Sequence, residues 1–164
     1  DDLVLAANPC IKQLAEISQK LQSKSVIGVM EVPRDKTHLY GIIYGDMIDI
    51  AKTYLMKGMV EKPKPQEAPS LLATPGRYIL TTKIFDHLKK IPRGKGGEYQ
   101  LTDAINSLAK EENVYAHIFE GDRYDTGNIE GFLNATLEFA LKNPALAETM
   151  RGLILEKVQK FKIK

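Results

Sequence analysis

The chain has 164 residues, 43% of them hydrophobic, enough for one domain with a real core and too few for two full ones. Its 23 Lys plus Arg against 21 Asp plus Glu leave a formal charge of +2, too balanced for a surface that neutralises nucleic-acid phosphates, though compatible with a small anionic ligand. The single cysteine, Cys10, excludes an intrachain disulfide or a cysteine metal cluster and points to a reducing compartment, the cytoplasm, and no run approaches the roughly 18 apolar residues that span a bilayer.

Asp1-Asp2-Leu3-Val4-Leu5 opens without Met and without the cationic start of a signal peptide, and so reads as the interior of a longer sequence. Asn8 is expected to cap a helix over 9–23, with Pro9 at its first position and Ile11, Leu14, Ala15, Ile17 and Leu21 at helical spacing. Three short apolar, β-branched runs at 25–32, 40–44 and 54–60 predict strands. Pro63, Pro65, Pro69 and Pro75 then predict a surface excursion over 61–76, ahead of a strand at 77–81.

A short helix at 82–90, a Gly-rich loop at 94–97, a helix from about Thr102 to Glu111, a strand at 113–119 and helices at 129–142 and 145–160 complete the series. Alternating strands and helices predict an α/β fold, a mixed sheet layered with helices. Lys157 to Lys164 read as a solvated helix end favoured by the helix dipole.

Chemistry concentrates at a few positions. Glu61 and Lys62 close an apolar strand; strand alternation sends their side chains to opposite sides unless the backbone turns there. Lys offers a compact cation for phosphate, and a carboxylate can accept hydrogen bonds from sugar hydroxyls, although an exposed charge pair is the plainer account. Asp125 precedes Thr126-Gly127-Asn128 and an apolar helix for which Asn128 is the expected N-cap. Its carboxylate suits Mg²⁺, which accepts one or two carboxylates, or else serves only a turn. Asp1 and Asp2 are a second carboxylate source, or merely an acidic terminus. Tyr40-Gly41 can bring bare backbone close to a ligand or can ease packing. Gly94, Gly96 and Gly97 around Lys95 lack the spacing of a phosphate-binding P-loop. His38, His87 and His117 have no metal-ligand spacing, and there is no Ser-centred nucleophile elbow.

Taken together, Asp1-Asp2-Leu3, Tyr40-Gly41-Ile42-Ile43, Val60-Glu61-Lys62-Pro63, Ala68-Pro69-Ser70 with Gly76-Arg77-Tyr78-Ile79-Leu80, Gly97-Glu98-Tyr99-Gln100-Leu101-Thr102-Asp103-Ala104-Ile105 and Tyr124-Asp125-Thr126-Gly127 resemble the bacterial UTP:glucose-1-phosphate uridylyltransferases, in family order. The resemblance covers all but the last helix. It implies that Asp1, with Asp2 as the alternative, and Asp125 hold Mg²⁺; that Glu61 contacts glucose hydroxyls and Lys62 the phosphate of glucose 1-phosphate; and that Gly41, with Tyr40 beside it, offers backbone to the sugar.

The implied reaction joins UTP and glucose 1-phosphate into UDP-glucose and pyrophosphate, in a homo-oligomer that binds neither nucleic acid nor membrane. Thymidylyl or adenylyl transfer to a sugar 1-phosphate, or an inactive sugar-phosphate-binding module, are the alternatives. The family's Gly-rich nucleotide-binding loop, with its Thr-Arg pair, has no match here. The whole of 1–164 is therefore expected to be the C-terminal, sugar-phosphate and metal-binding portion of a Rossmann-like nucleotidyltransferase domain. Leu71, where the family usually carries Asn, and Pro75 depart from the pattern.

Overall fold

Helix α1 (Cys10–Lys20) follows the predicted periodicity, burying Leu14 and Ile17 against strand β2 (Ser25–Glu31). Its expected cap does not form. Pro9 is the residue before the helix, and its carbonyl accepts the Lys12 and Gln13 N–H groups at 2.8 and 3.0 Å. Asn8 instead donates through Nδ2 to Glu16 at 3.1 Å. The computed structural model describes residues 1–94 and 97–162, so Lys95 and Gly96 of the predicted Gly-rich loop, and Ile163 and Lys164 of the Lys-rich end, lie outside the described residues.

The chain divides into two compact units, Asn8–Glu120 and Asp1–Ala7 with Gly121–Lys164. In the first, a 3-10 turn (Arg34–Leu39) leads from β2 to strand β3 (Gly41–Met47), which forms an antiparallel pair with β4 (Thr53–Glu61). The predicted excursion over 61–76 contains a strand, β5 (Leu72–Thr74), whose three residues are all buried. Sequence reading missed it because three residues bounded by prolines carry no visible period. The Ser70 hydroxyl donates to the Ile43 carbonyl and accepts the Leu72 N–H at 2.9 Å, tying the returning chain to β3.

The predicted strand at 77–81 shrinks to β6 (Tyr78–Ile79), and the helix at 82–90 to α2 (Ile84–Leu88). Helix α3 (Leu101–Leu108) and strand β7 (Val114–Ile118) fall where expected. The sheet runs β5-β3-β4-β7-β2-β6 with only β2 and β7 parallel, and β5 also pairs with β2, so pairing returns on itself through β3, β4, β7, β2 and β5. Ile27, Val29, Ile43, Met59, Ile105 and Leu108 meet in the core between this sheet and α3. That packing fixes α3 beside the end of β4.

The second unit begins with strand β1 (Asp2–Leu5), which pairs antiparallel with β8 (Asp122–Asp125). At only four residues each, neither strand stood out in the sequence. Helix α4 (Ile129–Lys142) starts as predicted, with Asn128 Oδ1 accepting the Gly131 N–H at 2.8 Å. Tyr124 meets Phe139 edge to face at 6.2 Å, fastening α4 to β8. Helix α5 (Ala147–Phe161) buries no residue, and Lys160 stands in its last turn. The fold is mixed α/β, as the alternation predicted.

Candidate active site

The end of β4 carries the first cluster. Lys62 has φ +45°, the left-handed region that side chains rarely adopt, so strand alternation breaks between Glu61 and Lys62. Both then line one cavity of about 350 Å³ with Glu98, Gln100 and Asp103. The Lys62 N–H donates to the Tyr40 carbonyl at 3.0 Å, and Gly41 stands opposite Glu61 in the β3–β4 register. Gly41 is buried, and a Cβ there would lie 2.5 Å from Met59 Cε and 3.3 Å from Glu61 Oε2. Its missing side chain thus makes room chiefly for the Met59 methyl, with the glutamate carboxylate close beside it.

That carboxylate accepts a 2.7 Å hydrogen bond from the Thr102 hydroxyl, in the first turn of α3. Tyr78 stands close by. Burial pushes its hydroxyl pKa up from 10.0, the hydrogen bond with Thr74 works against that, and the negative charge of Glu61 adds to the rise. Tyr78 therefore remains a neutral hydroxyl near neutral pH. Among the described residues Lys62 has no ion pair, leaving its ammonium available to an anion. Of the cavity residues, Glu98, Gln100 and Asp103 belong to the segment that carried the resemblance, but no property of an isolated polar residue distinguished them as site groups.

The second cluster lies in the other unit. The Thr126 N–H donates to the Asp1 carbonyl at 2.9 Å, extending the β1–β8 pairing by one step. Asp125 Oδ1 accepts the Gly127 N–H at 3.0 Å. Asp125 Oδ1 and Asp1 Oδ2 lie 3.2 and 4.0 Å from where a Cβ of Gly127 would stand, so the two carboxylates flank one glycine. Asp2 is placed differently: its side chain is only 4% exposed and accepts Arg123 Nε at 2.6 Å. Arg123 also approaches Asp125 Oδ2 at 3.6 Å. In the strand register Asp2 stands opposite Asp125 and Arg123 bridges the two carboxylates, while Asp1 comes near Asp125 where both approach Gly127.

Mg²⁺ takes oxygen ligands and ordinarily keeps one or two carboxylates, filling its remaining positions with water and phosphate oxygens. Asp1 and Asp125 fit that demand. Among the described residues no three His, Cys, Asp or Glu side chains gather into a group that could hold a metal ion. Asp1 also borders a hollow of about 460 Å³ lined by Leu3, Thr126, Phe132, Ala135, Thr136 and Phe139, whose walls are chiefly apolar.

Comparison with known proteins gives this arrangement its context. The Nucleotidyl transferase family model matches residues 1–141. A UTP–glucose-1-phosphate uridylyltransferase 2 of Staphylococcus saprophyticus is 48% identical over 163 residues, 99% of this chain and 54% of the relative. A UTP–glucose-1-phosphate uridylyltransferase of Staphylococcus epidermidis is 45% identical over 154 residues, 94% of this chain and 53% of the relative. A crystal structure of UDP-glucose pyrophosphorylase complexed with UDP-glucose superposes with a TM-score of 0.80 at 38% identity, covering 87% of this chain and 54% of that one. The UTP-bound enzyme from Acinetobacter baumannii gives 0.80 at 33% identity, covering 94% and 53%. The chain thus spans about half the length of the relatives it matches. With the family model matching from Asp1 to Leu141, across both carboxylate-bearing clusters, the chain belongs to the nucleotidyl transferase family.

Proposed function

We propose that this chain supplies the sugar-phosphate and metal-binding part of an enzyme that transfers uridylyl from UTP to glucose 1-phosphate. A phosphate oxygen of glucose 1-phosphate attacks the α-phosphorus of UTP, the bond to the β-phosphate oxygen breaks, and UDP-glucose and pyrophosphate are released. The observation that carries this reading is the left-handed turn at Lys62, which brings a free cation and a carboxylate into one cavity. Lys62 binds and orients the sugar phosphate, Glu61 accepts hydrogen bonds from sugar hydroxyls, and Gly41 at the start of β3, with Tyr40 beside it, offers backbone to the sugar. Mg²⁺, held by Asp1 and Asp125, would neutralise charge on the phosphates of the reacting nucleotide. The proteins of matching sequence that carry this activity by name support the assignment.

Pyrophosphate release from UTP and glucose 1-phosphate, with and without Mg²⁺ and with dTTP and ATP in place of UTP, tests it. Metal-dependent turnover preferring UTP is expected. Glucose 1-phosphate binding that survives Lys62→Ala unchanged would remove the phosphate role.

The same reading takes the protein as a cytoplasmic homo-oligomer. Among the described residues no helix is long and apolar enough to cross a membrane. Light scattering of the purified protein measures its association.

A further inference from the structure

Thr102 is 5% exposed, and its hydroxyl reaches across to the end of β4 to donate to Glu61 Oε2 at 2.7 Å. A threonine in the first turn of a helix ordinarily finds its partner in nearby backbone. Here the partner is a carboxylate 41 positions away in sequence. This is the one hydrogen bond of the Glu61 side chain among the described residues, and it engages one oxygen while leaving Oε1 open to a ligand. The engaged oxygen lies close to Gly41, 3.3 Å from where a Cβ would stand, and the positive end of α3 favours a carboxylate there.

We infer that Thr102 is a positioning residue, holding Glu61 Oε2 so that Oε1 is set in advance to accept a hydroxyl of the sugar. The inference rests on the proposed sugar-binding role of Glu61. A glutamate at a strand end otherwise keeps several rotamers, and ordering it when ligand arrives would weaken binding. The Thr102 bond fixes it beforehand. Thr102 touches no reacting atom and acts only through Glu61.

Calorimetric titration of the full chain with glucose 1-phosphate tests this through Thr102→Val, which keeps the side-chain shape, and Thr102→Ser, which keeps the hydroxyl. Loss of a hydrogen bond to a charged group predicts about tenfold weaker binding for Thr102→Val, and affinity within about twofold of the parent for Thr102→Ser. On a Glu61→Gln background, Thr102→Val should have a markedly smaller effect, which general loosening of the fold would not produce. Equal affinity of Thr102→Val and the parent would overturn the positioning role alone, as would an undiminished effect on the Glu61→Gln background. A parent protein that does not bind glucose 1-phosphate would overturn the functional reading and this inference with it.

Discussion

A lysine with positive φ carries a steric penalty of about 1–2 kcal/mol from its Cβ, and such a residue persists where its surroundings hold it there. At Lys62 the hold is visible: its N–H is fixed on the Tyr40 carbonyl, and the next residue, Pro63, is buried. Glycine would remove the Cβ clash without keeping the ammonium. Lys62→Gly is therefore expected to leave stability unchanged or raise it by up to about 1 kcal/mol, while Lys62→Ala keeps the strain. Both should bind glucose 1-phosphate about tenfold more weakly or worse, having lost a charge-assisted bond to phosphate. Melting curves read beside titrations separate the two effects. A lower melting temperature for Lys62→Gly than for Lys62→Ala would show that the turn is not strained. In the sequence, Glu61-Lys62 was legible as a motif, but its geometry was not, because strand alternation sends neighbouring side chains apart and only the backbone conformation reverses that.

At the scale of elements, the junction of β8 and α4 sets Asp125. Asn128 was readable as an N-cap from its position before an apolar helix, and its side chain does bond the Gly131 N–H. The demand on Gly131 was not readable. A Cβ at that position would fall within the carbonyl oxygen of Asp125, so the first turn of α4 sits against the end of β8 only because residue 131 lacks a side chain. Gly131→Ala should destabilise the protein by about 1–3 kcal/mol through overpacking, despite alanine's better helix propensity. It should also weaken Mg²⁺-dependent ligand binding, since relief of the clash moves Asp125. Stability equal to or above that of the parent would mean that the junction has slack. Strand β5 poses the same problem of legibility. Its burial comes from pairing with β2 and β3, partners far along the chain, while the prolines that flank it point to a loop. The longer periodic segments, α1, β2 and β4, were legible because their own side chains supply the pattern.

Over the whole molecule, net charge says little about acid sensitivity, which follows from two groups in the unit Asn8–Glu120. His117 is 9% exposed and meets the Thr53 hydroxyl at 2.9 Å through Nδ1. Burial lowers its pKa below 6.5, Lys52 lowers it further, and Glu120 opposes them only in part. A histidine held neutral in the fold takes up its proton more readily when unfolded, so its contribution is complete above pH 6.5 and declines as pH falls through the lower folded value. Glu112 acts in the same direction. Burial alone would raise its pKa, but the Thr81 hydroxyl at 2.7 Å and the Lys83 ammonium at 3.3 Å outweigh that and hold it below 4.5. Its contribution is present above pH 4.5 and fades as pH falls through the folded value. The midpoint of urea unfolding should therefore be flat above pH 7, fall below pH 6.5 and fall again below pH 4.5. His117→Gln should flatten the first decline and Glu112→Gln the second, each leaving the other in place, because Glu112 lies in the bend before β7, His117 lies near the far end of that strand, and the two share no hydrogen-bond partner. An unfolding midpoint that stays constant from pH 7 to pH 5 in the parent protein would show that His117 is not held neutral by the fold.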